Sequence, residues 1–317
     1  MSTAAVSMLG KKPQVSEQMV PGAHAVQGHH RRPWLWRVSI CGIILLIVAI
    51  VVPVAVILTR KKSAPVMSTK ANVIVPLYVY PDTQASAWGP LFNVANSSSA
   101  LNYTVIVNPL SGPGPNALPD SNYITGITML NGLPNVKTIG YVPTNYTVRN
   151  INDVVNDVNV YANWSKANTQ LTLNGIFFDE SPFEYNDDIV AYVSTIRDAV
   201  NNADGIASDK MIVYNPGTVP DGPLYYSPDL VVTFEDTYAN FTGSDLSYMS
   251  ANRTQYCSMV HSTPNTADLT ALVTKMAKSA NYLFVTDLAG NPSGSINPYG
   301  QFGSIWNSFI NAMSATG

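Results

Sequence analysis

The run LNGIFFDESPF, Leu173 to Phe183, closes an apolar segment with two consecutive carboxylates, Asp179 and Glu180. A second segment, DLVVTFEDT from Asp229, closes with Glu235 and Asp236. Carboxylates are seldom set against buried surface unless a partner or a reaction holds them there. Two carboxyls facing across a small gap can hydrolyse a glycoside, one as nucleophile and the other as general acid/base. A separation of about 5–5.5 Å gives retention at the anomeric carbon, and about 6.5–9.5 Å gives inversion. Side chains alternate along a strand, so Asp179 and Glu180 cannot both face one gap to the same degree. Glu235 continues its strand, whereas Asp236 is placed to cap the loop that follows.

Other apolar runs end in polar residues of a consistent kind: Tyr80 and Asp82, Asn108, Tyr141, Tyr214 and Asn215, His261, and Asp287. A lining of carboxylates, amides and phenols with little positive charge suits a neutral polyhydroxylated ligand. Asp82 and Asp287 are equally suited to capping turns, and His261 to a hydrogen-bonded core position. There is no HExxH pattern for zinc, and Ser181 lacks the glycine flanks of a nucleophile elbow. No metal is expected.

The elements that must position these residues are eight short apolar runs beginning at Asn72, Tyr103, Val136, Leu173, Lys210, Asp229, Tyr256 and Asn281. They are rich in Val, Ile, Tyr and Phe and stop at Pro, Asp, Ser or Gly, as buried parallel strands do. Between them, residues 150–167, 186–203 and 265–280 carry apolar residues at three-to-four spacing, the pattern of amphipathic helices. The segment after YNPG is Pro-rich and short, so one helix is expected to be degenerate. Eight strands alternating with helices predict a (β/α)8 TIM barrel, with the strand-end residues at its active face. An open doubly wound sheet is the alternative, but the turn after the first strand, YPDTQASAWGP, has no glycine-rich phosphate fingerprint.

Upstream, Val38 to Leu58 is an uncharged apolar run bracketed by HHRRPWLWR and TRKK. At about 1.5 Å per residue it is long enough to cross a hydrocarbon core of roughly 30 Å. The expected layout is a disordered cytosolic tail (1–37), a transmembrane anchor (38–58), a linker (59–71) and the barrel (72–317). Lys11 and Lys12 tilt the positive-inside balance toward a cytosolic N-terminus. That makes the chain a single-pass type II membrane protein with a lumenal or extracellular domain. Sequons at Asn96, Asn102, Asn145, Asn163, Asn240 and Asn252 all lie beyond the anchor, as glycosylation of an exported domain requires. The formal net charge of −3 gives no steering toward nucleic acid. The chain's two cysteines, Cys41 within the apolar run and Cys257 far downstream, build no disulfide framework. A monomer is expected.

The segments PLYVYP, NGIFFDE and VTFED, within a domain running from VIVPLYVYP to FGSIWNSF, resemble the spherulation-specific family 4 (spherulin-4-like) proteins, grouped as glycoside hydrolase family 135. The membrane anchor ahead of the domain is similar to fungal members tied to the exopolysaccharide galactosaminogalactan. The resemblance implies a (β/α)8 barrel and cofactor-free, endo-acting hydrolysis of α-1,4-linked N-acetylgalactosamine stretches. It also implies an acidic triad at Asp179, Glu180 and Glu235. By analogy with other α-glycoside-cleaving barrels, Asp179 is expected to be the nucleophile and Glu235 the acid/base. Glu180 then positions the sugar or tunes its neighbour. Two alternatives stay open: a non-catalytic glycan-binding surface protein whose Tyr78, Tyr80, Trp88, Tyr141 and Tyr238 stack sugars, or a hydrolase of another α-linked amino-sugar or galactose polymer.

Overall fold

The computed structural model describes residues 70–97, 100–221, 229–243, 253–290 and 296–316. The expected tail, the expected span and all but the end of the linker lie outside the described residues, as does the sequon at Asn252. Among the described residues no helix is long and apolar enough to cross a membrane.

All eight expected runs form strands: β1 (Asn72–Leu77), β2 (Tyr103–Val107), β3 (Val136–Pro143), β4 (Gly175–Asp179), β5 (Met211–Tyr214), β6 (Leu230–Thr237), β7 (Tyr256–His261) and β8 (Tyr282–Val285). Every neighbouring pair is parallel, and β8 returns to β1, so the sheet closes into a (β/α)8 barrel rather than staying open. The seam is short, with only Asn72 opposite Tyr282 and Val73 opposite Leu283.

The helices are α1 (Gly89–Ser97), α2 (Ser121–Asn131), α3 (Ile151–Ala167), α4 (Asp187–Asn202), α5 (Leu269–Met276) and α6 (Trp306–Ala315). In α3 the expected stripe buries Val154, Val158 and Tyr161, and the Asn150 side chain accepts the Asn152 N–H at the first turn. Asn186 caps α4 in the same way, accepting the Ile189 N–H, and Asp187 and Asp188 complement the helix dipole. No helix forms among the described residues between β5 and β6, as the Pro-rich sequence there implied.

Two details of packing aim side chains at the site. Tyr161 of α3 lies against Gly140 of β3, where an added Cβ would come within 2.8 Å of the ring. From there its hydroxyl donates to the Tyr141 carbonyl at 2.9 Å. The second is an irregularity in β6. Val232 pairs with Cys257 but Phe234 pairs with Ser258, so β6 spends two residues where β7 spends one. Leu230 stands beside Val213 and Phe177, in the row that leads to Asp179. Strict alternation from Leu230 would put Phe234 and Asp236 on that row's face. The extra residue at Thr233 reverses the phase and turns Glu235 inward instead.

Glycines at β4 and α1 test the packing in opposite directions. A Cβ at Gly175 would sit 1.8 Å from the Met211 carbonyl oxygen, backbone that cannot step aside, whereas Gly89 has nothing within 4 Å. Chemical denaturation is expected to show Gly175→Ala destabilised by at least about 1–3 kcal/mol, the usual cost of overpacking. Gly89→Ala is expected to change stability by no more than about 0.5 kcal/mol, because the gain at helical φ and ψ is opposed by Pro90, whose ring disfavours a helical Cβ-bearing residue before it.

Candidate active site

The C-terminal ends of the strands open into a cavity of about 540 Å³, within the usual range for a ligand site of roughly 300–1,000 Å³. Asp179, from the end of β4, and Glu235, from β6, share its wall with Tyr78, Tyr141 and Tyr299. Asn215, buried just after β5, joins the two acids. Its Nδ2 donates to Asp179 Oδ1 at 2.7 Å and to Glu235 Oε2 at 2.6 Å. The Gly217 N–H donates to Asn215 Oδ1 at 3.0 Å, which leaves the amino side of the amide turned to the acids. The two bridged oxygens can therefore be no farther apart than the sum of those bonds, about 5.3 Å.

A phenol anchors the far side of each carboxylate. Tyr141 Oη donates to Asp179 Oδ2 at 2.7 Å, and Tyr299 Oη donates to Glu235 Oε1 at 2.5 Å. Tyr78 stands edge-on between the two phenols, with ring centroids 5.4 Å from Tyr141 and 5.8 Å from Tyr299. Burial, followed by the charges of Asp179 and Glu235, holds Tyr78 protonated. Burial and the carboxylate each one serves do the same for Tyr141 and Tyr299.

The two acids differ electrostatically. Burial raises the Glu235 pKa, the charge of Asp179 raises it further, and the Tyr299 and Asn215 hydrogen bonds offset only part, leaving it at about 7. Burial also raises Asp179, but donors from Tyr141, the Glu180 backbone and Asn215 oppose it. With two carboxylates this close, ionisation of one resists ionisation of the other. Near neutral pH the pair holds one proton, and the donor pattern places it on Glu235. One carboxyl is thus ready to give a proton while the other is ready to attack or stabilise positive charge.

Glu180 is not in this arrangement. Its backbone takes the left-handed conformation (φ 49°), and its side chain is exposed at the rim. Asn108 and His261 do line the cavity. Asn108 Oδ1 accepts the Gly112 N–H, and His261 Nδ1 pairs with Ser262 Oγ. Burial lowers the His261 pKa, opposed by the charge of Asp236. Asp236 itself caps the next turn, as expected, accepting from the Thr237 N–H and Asn240 Nδ2. Asp287 accepts from Ser304 Oγ at 2.6 Å and pins the loop before α6. Asp82 lies in an exposed turn, and Tyr80 accepts from Asn122 Nδ2 outside the cavity lining. Trp88, a sugar platform in the glycan-binding alternative, is instead fully buried; its indole donates to the Val79 carbonyl and its ring covers Gly126. The sequon residues Asn96, Asn102, Asn145, Asn163 and Asn240 are exposed.

Tyr299 was missed, because it lies well beyond β8 in NPYGQFGS and ends no strand. Its place between Pro298 and Gly300, residues that shape an ordered turn, is the one signal the sequence carried.

Fold and site together define an acid-paired (β/α)8 barrel with its carboxylates at the strand ends. The spherulation-specific family 4 profile matches residues 72–313, and the chain belongs to that family. Spherulin-4 of Physarum polycephalum is 29% identical over 242 residues, covering 73% of this chain and 66% of its own length. The crystal structure of Aspergillus clavatus Sph3 in complex with GalNAc is 38% identical, with a TM-score of 0.71, and covers 78% of this chain and 98% of its own.

A carboxyl whose pKa is raised on folding favours the folded state most when protonated. The Glu235 contribution is therefore complete below its ordinary value of 4.5 and lost as pH rises through about 7. Melting temperatures measured from pH 5 to pH 8 are expected to fall more for the unaltered protein than for Glu235→Gln. In Asp179→Asn, loss of the neighbouring charge is expected to lower the Glu235 pKa below about 7, readable as the pH at which its carbonyl infrared band shifts.

Proposed function

We propose that the barrel is a retaining, endo-acting glycoside hydrolase that cleaves α-1,4-linked N-acetylgalactosamine stretches of a galactosaminogalactan-type exopolysaccharide. The observation that carries this reading is the single Asn215 nitrogen shared by Asp179 and Glu235. It caps the separation of their bridged oxygens at about 5.3 Å, nearer the roughly 5–5.5 Å of retaining pairs than the roughly 6.5–9.5 Å that an inverting water needs. The GalNAc bound by Aspergillus clavatus Sph3 supports the choice of sugar.

In this mechanism Asp179, ionised and held by Tyr141 and Asn215, attacks the anomeric carbon. Glu235 transfers its proton to the glycosidic oxygen as that bond breaks, and the leaving chain departs with a free hydroxyl. Glu235, now ionised, takes a proton from water, whose oxygen displaces Asp179 from the glycosyl ester. The second displacement restores the starting anomer and both acids. Attack by the substrate's own acetamido group is disfavoured, because in an α-linked amino sugar that group is cis to the leaving oxygen. Tyr78 lines the same cavity, and in this reading its hydroxyl donates to the bound sugar.

In the same reading residues 38–58 tether the barrel to a membrane as a type II anchor, supported by the apolar run and its basic and aromatic flanks. Resistance of the full-length protein to alkaline carbonate extraction is the expected result, and release into the supernatant would remove the tether from the proposal.

Purified protein is expected to release oligosaccharides from acetylated galactosaminogalactan, with the α-anomer appearing first by proton NMR. Asp179→Asn and Glu235→Gln should each lose on the order of 10²–10⁴-fold in rate. The Glu235→Gln loss should shrink on aryl glycosides, whose leaving groups need little protonation. Binding without turnover in the unaltered protein would point to a glycan-binding surface protein instead. Initial release of the β-anomer would replace retention with inversion.

A further inference from the structure

The cavity, lined by residues after β8, β1 and β2 and by Thr237 and His261 of β6 and β7, reaches Asp179 from one side and takes in nothing from the loop after β3. On the other side, the loop after β3 is built in an unusual way. Asn145, Tyr146 and Thr147 are consecutive non-glycine residues in the left-handed region, with φ of 47°, 51° and 75°. Glu180, on the adjoining loop, is also left-handed. Single non-glycine residues visit this region, whereas runs of them persist only where their surroundings impose it.

The surroundings here are specific. The Tyr146 N–H donates to the Glu180 carbonyl at 2.6 Å, and Thr144 Oγ1, fully buried, donates to the same carbonyl at 2.8 Å. Arg149 Nη1 donates to the Pro143 carbonyl while its Nη2 pairs with Asp157 of α3 at 2.8 Å, fastening the base of the loop. The result holds the Tyr146 ring outward, 50% exposed, beside the exposed Glu180 side chain. The Tyr146 phenol is raised by burial and then by the charges of Glu180, Asp179 and Glu235, which places it within the field of the acid pair.

We propose that Tyr146 and Glu180 form a second sugar subsite, on the far side of Asp179 from the cavity. There the Tyr146 ring stacks on the apolar face of the next N-acetylhexosamine and the Glu180 carboxylate accepts hydrogen bonds from its hydroxyls. An aromatic face takes up the C–H surface of a pyranose, and an ionised carboxylate offers only acceptors, the complement of a sugar's hydroxyl donors. The assignment separates the adjacent acids: Asp179 acts on the bond, and Glu180 holds the neighbouring residue of the chain. It rests on the hydrolase reading above and adds to it a path for the polymer across the acid pair.

The test uses the full-length protein and its Tyr146→Ala, Tyr146→Trp and Glu180→Gln forms, assayed on N-acetylgalactosamine polymer and on an aryl N-acetyl-α-galactosaminide that spans only the cavity and the bond. Tyr146→Ala and Glu180→Gln are expected to raise KM for the polymer about tenfold or more, with a clearly smaller loss on the aryl glycoside. Tyr146→Trp should restore the polymer KM to within about threefold. Equal losses on both substrates would make Glu180 part of the bond-breaking machinery and overturn the subsite, as would no loss on either.

Calorimetric titration with an N-acetylgalactosamine hexamer separates this proposal from the one it rests on, using Asp179→Asn with and without Tyr146→Ala. Weaker hexamer binding in the double variant, together with no cleavage by the unaltered protein, keeps the subsite and removes the hydrolase. Cleavage with no change on altering Tyr146 keeps the hydrolase and removes the subsite.

Discussion

One amide nitrogen sets the character of this barrel. Asn215 carries two N–H bonds and gives them to two carboxylates. An amide cannot take up or release a proton in the working range of pH, so it tethers the acids without neutralising them. Their mutual repulsion survives the tether, and burial with that repulsion raises Glu235 toward neutrality. A lysine in this place would pair with both acids and lower both pKa values, leaving no proton to give. An aspartate would add a third charge. Asn215 is itself stitched into place: its N–H donates to the Phe178 carbonyl, and its own carbonyl accepts the Ser181 N–H. The strand order that brings β4, β5 and β6 side by side is thus also what brings the two acids together.

Much of this was legible in the chain because the patterns were local. Buried parallel strands show as short apolar runs with β-branched and aromatic residues, and all eight were visible. The helices at 151–167 and 187–202 showed in their stripes and caps. What stayed hidden depended on contacts between distant segments or on a single-residue shift. Glu235 was singled out over Asp236 in VVTFED, but the reason it faces the site was not visible, since strict alternation from Leu230 would turn Asp236 toward the Asp179 row. Only the irregularity at Thr233, set by pairing with β7, turns Glu235 inward. Asn215 looked like one more polar strand end, since its double role needs two partners from neighbouring strands. Trp88 read as a loop aromatic available to ligand but fills the space over Gly126, a cavity no local pattern announces.

The adjacent pair Asp179 and Glu180 illustrates how little chain separates two environments. Asp179 ends a regular strand and is held by three donors. One residue later the backbone crosses into the left-handed region, and the side chain emerges at the rim. Thr144 secures the corner, since its hydroxyl reaches the carbonyls of both Asp179 and Glu180. A glycine at position 180 would make the turn with less strain but would carry no carboxylate, so the strained corner is the cost of having an acid on each side of it.

The phenol that completes Glu235 comes from beyond the last strand of the barrel. Tyr299 follows β8, the strand that closes the barrel against β1 through only two residue pairs. Side chains reinforce that junction: Trp306 Nε1 donates to the Pro90 carbonyl, and Lys70 Nζ to the Ser314 carbonyl at 2.8 Å. Once β7 has paired with β6, Asp179, Asn215 and Glu235 can face one another, but the outer oxygen of Glu235 has no anchor until the two ends of the barrel meet. Chemical competence is therefore tied to topological completion. An unfinished or frayed chain carries the acids without the geometry, and the Tyr299–Glu235 hydrogen bond doubles as a readout of whether the ring has shut.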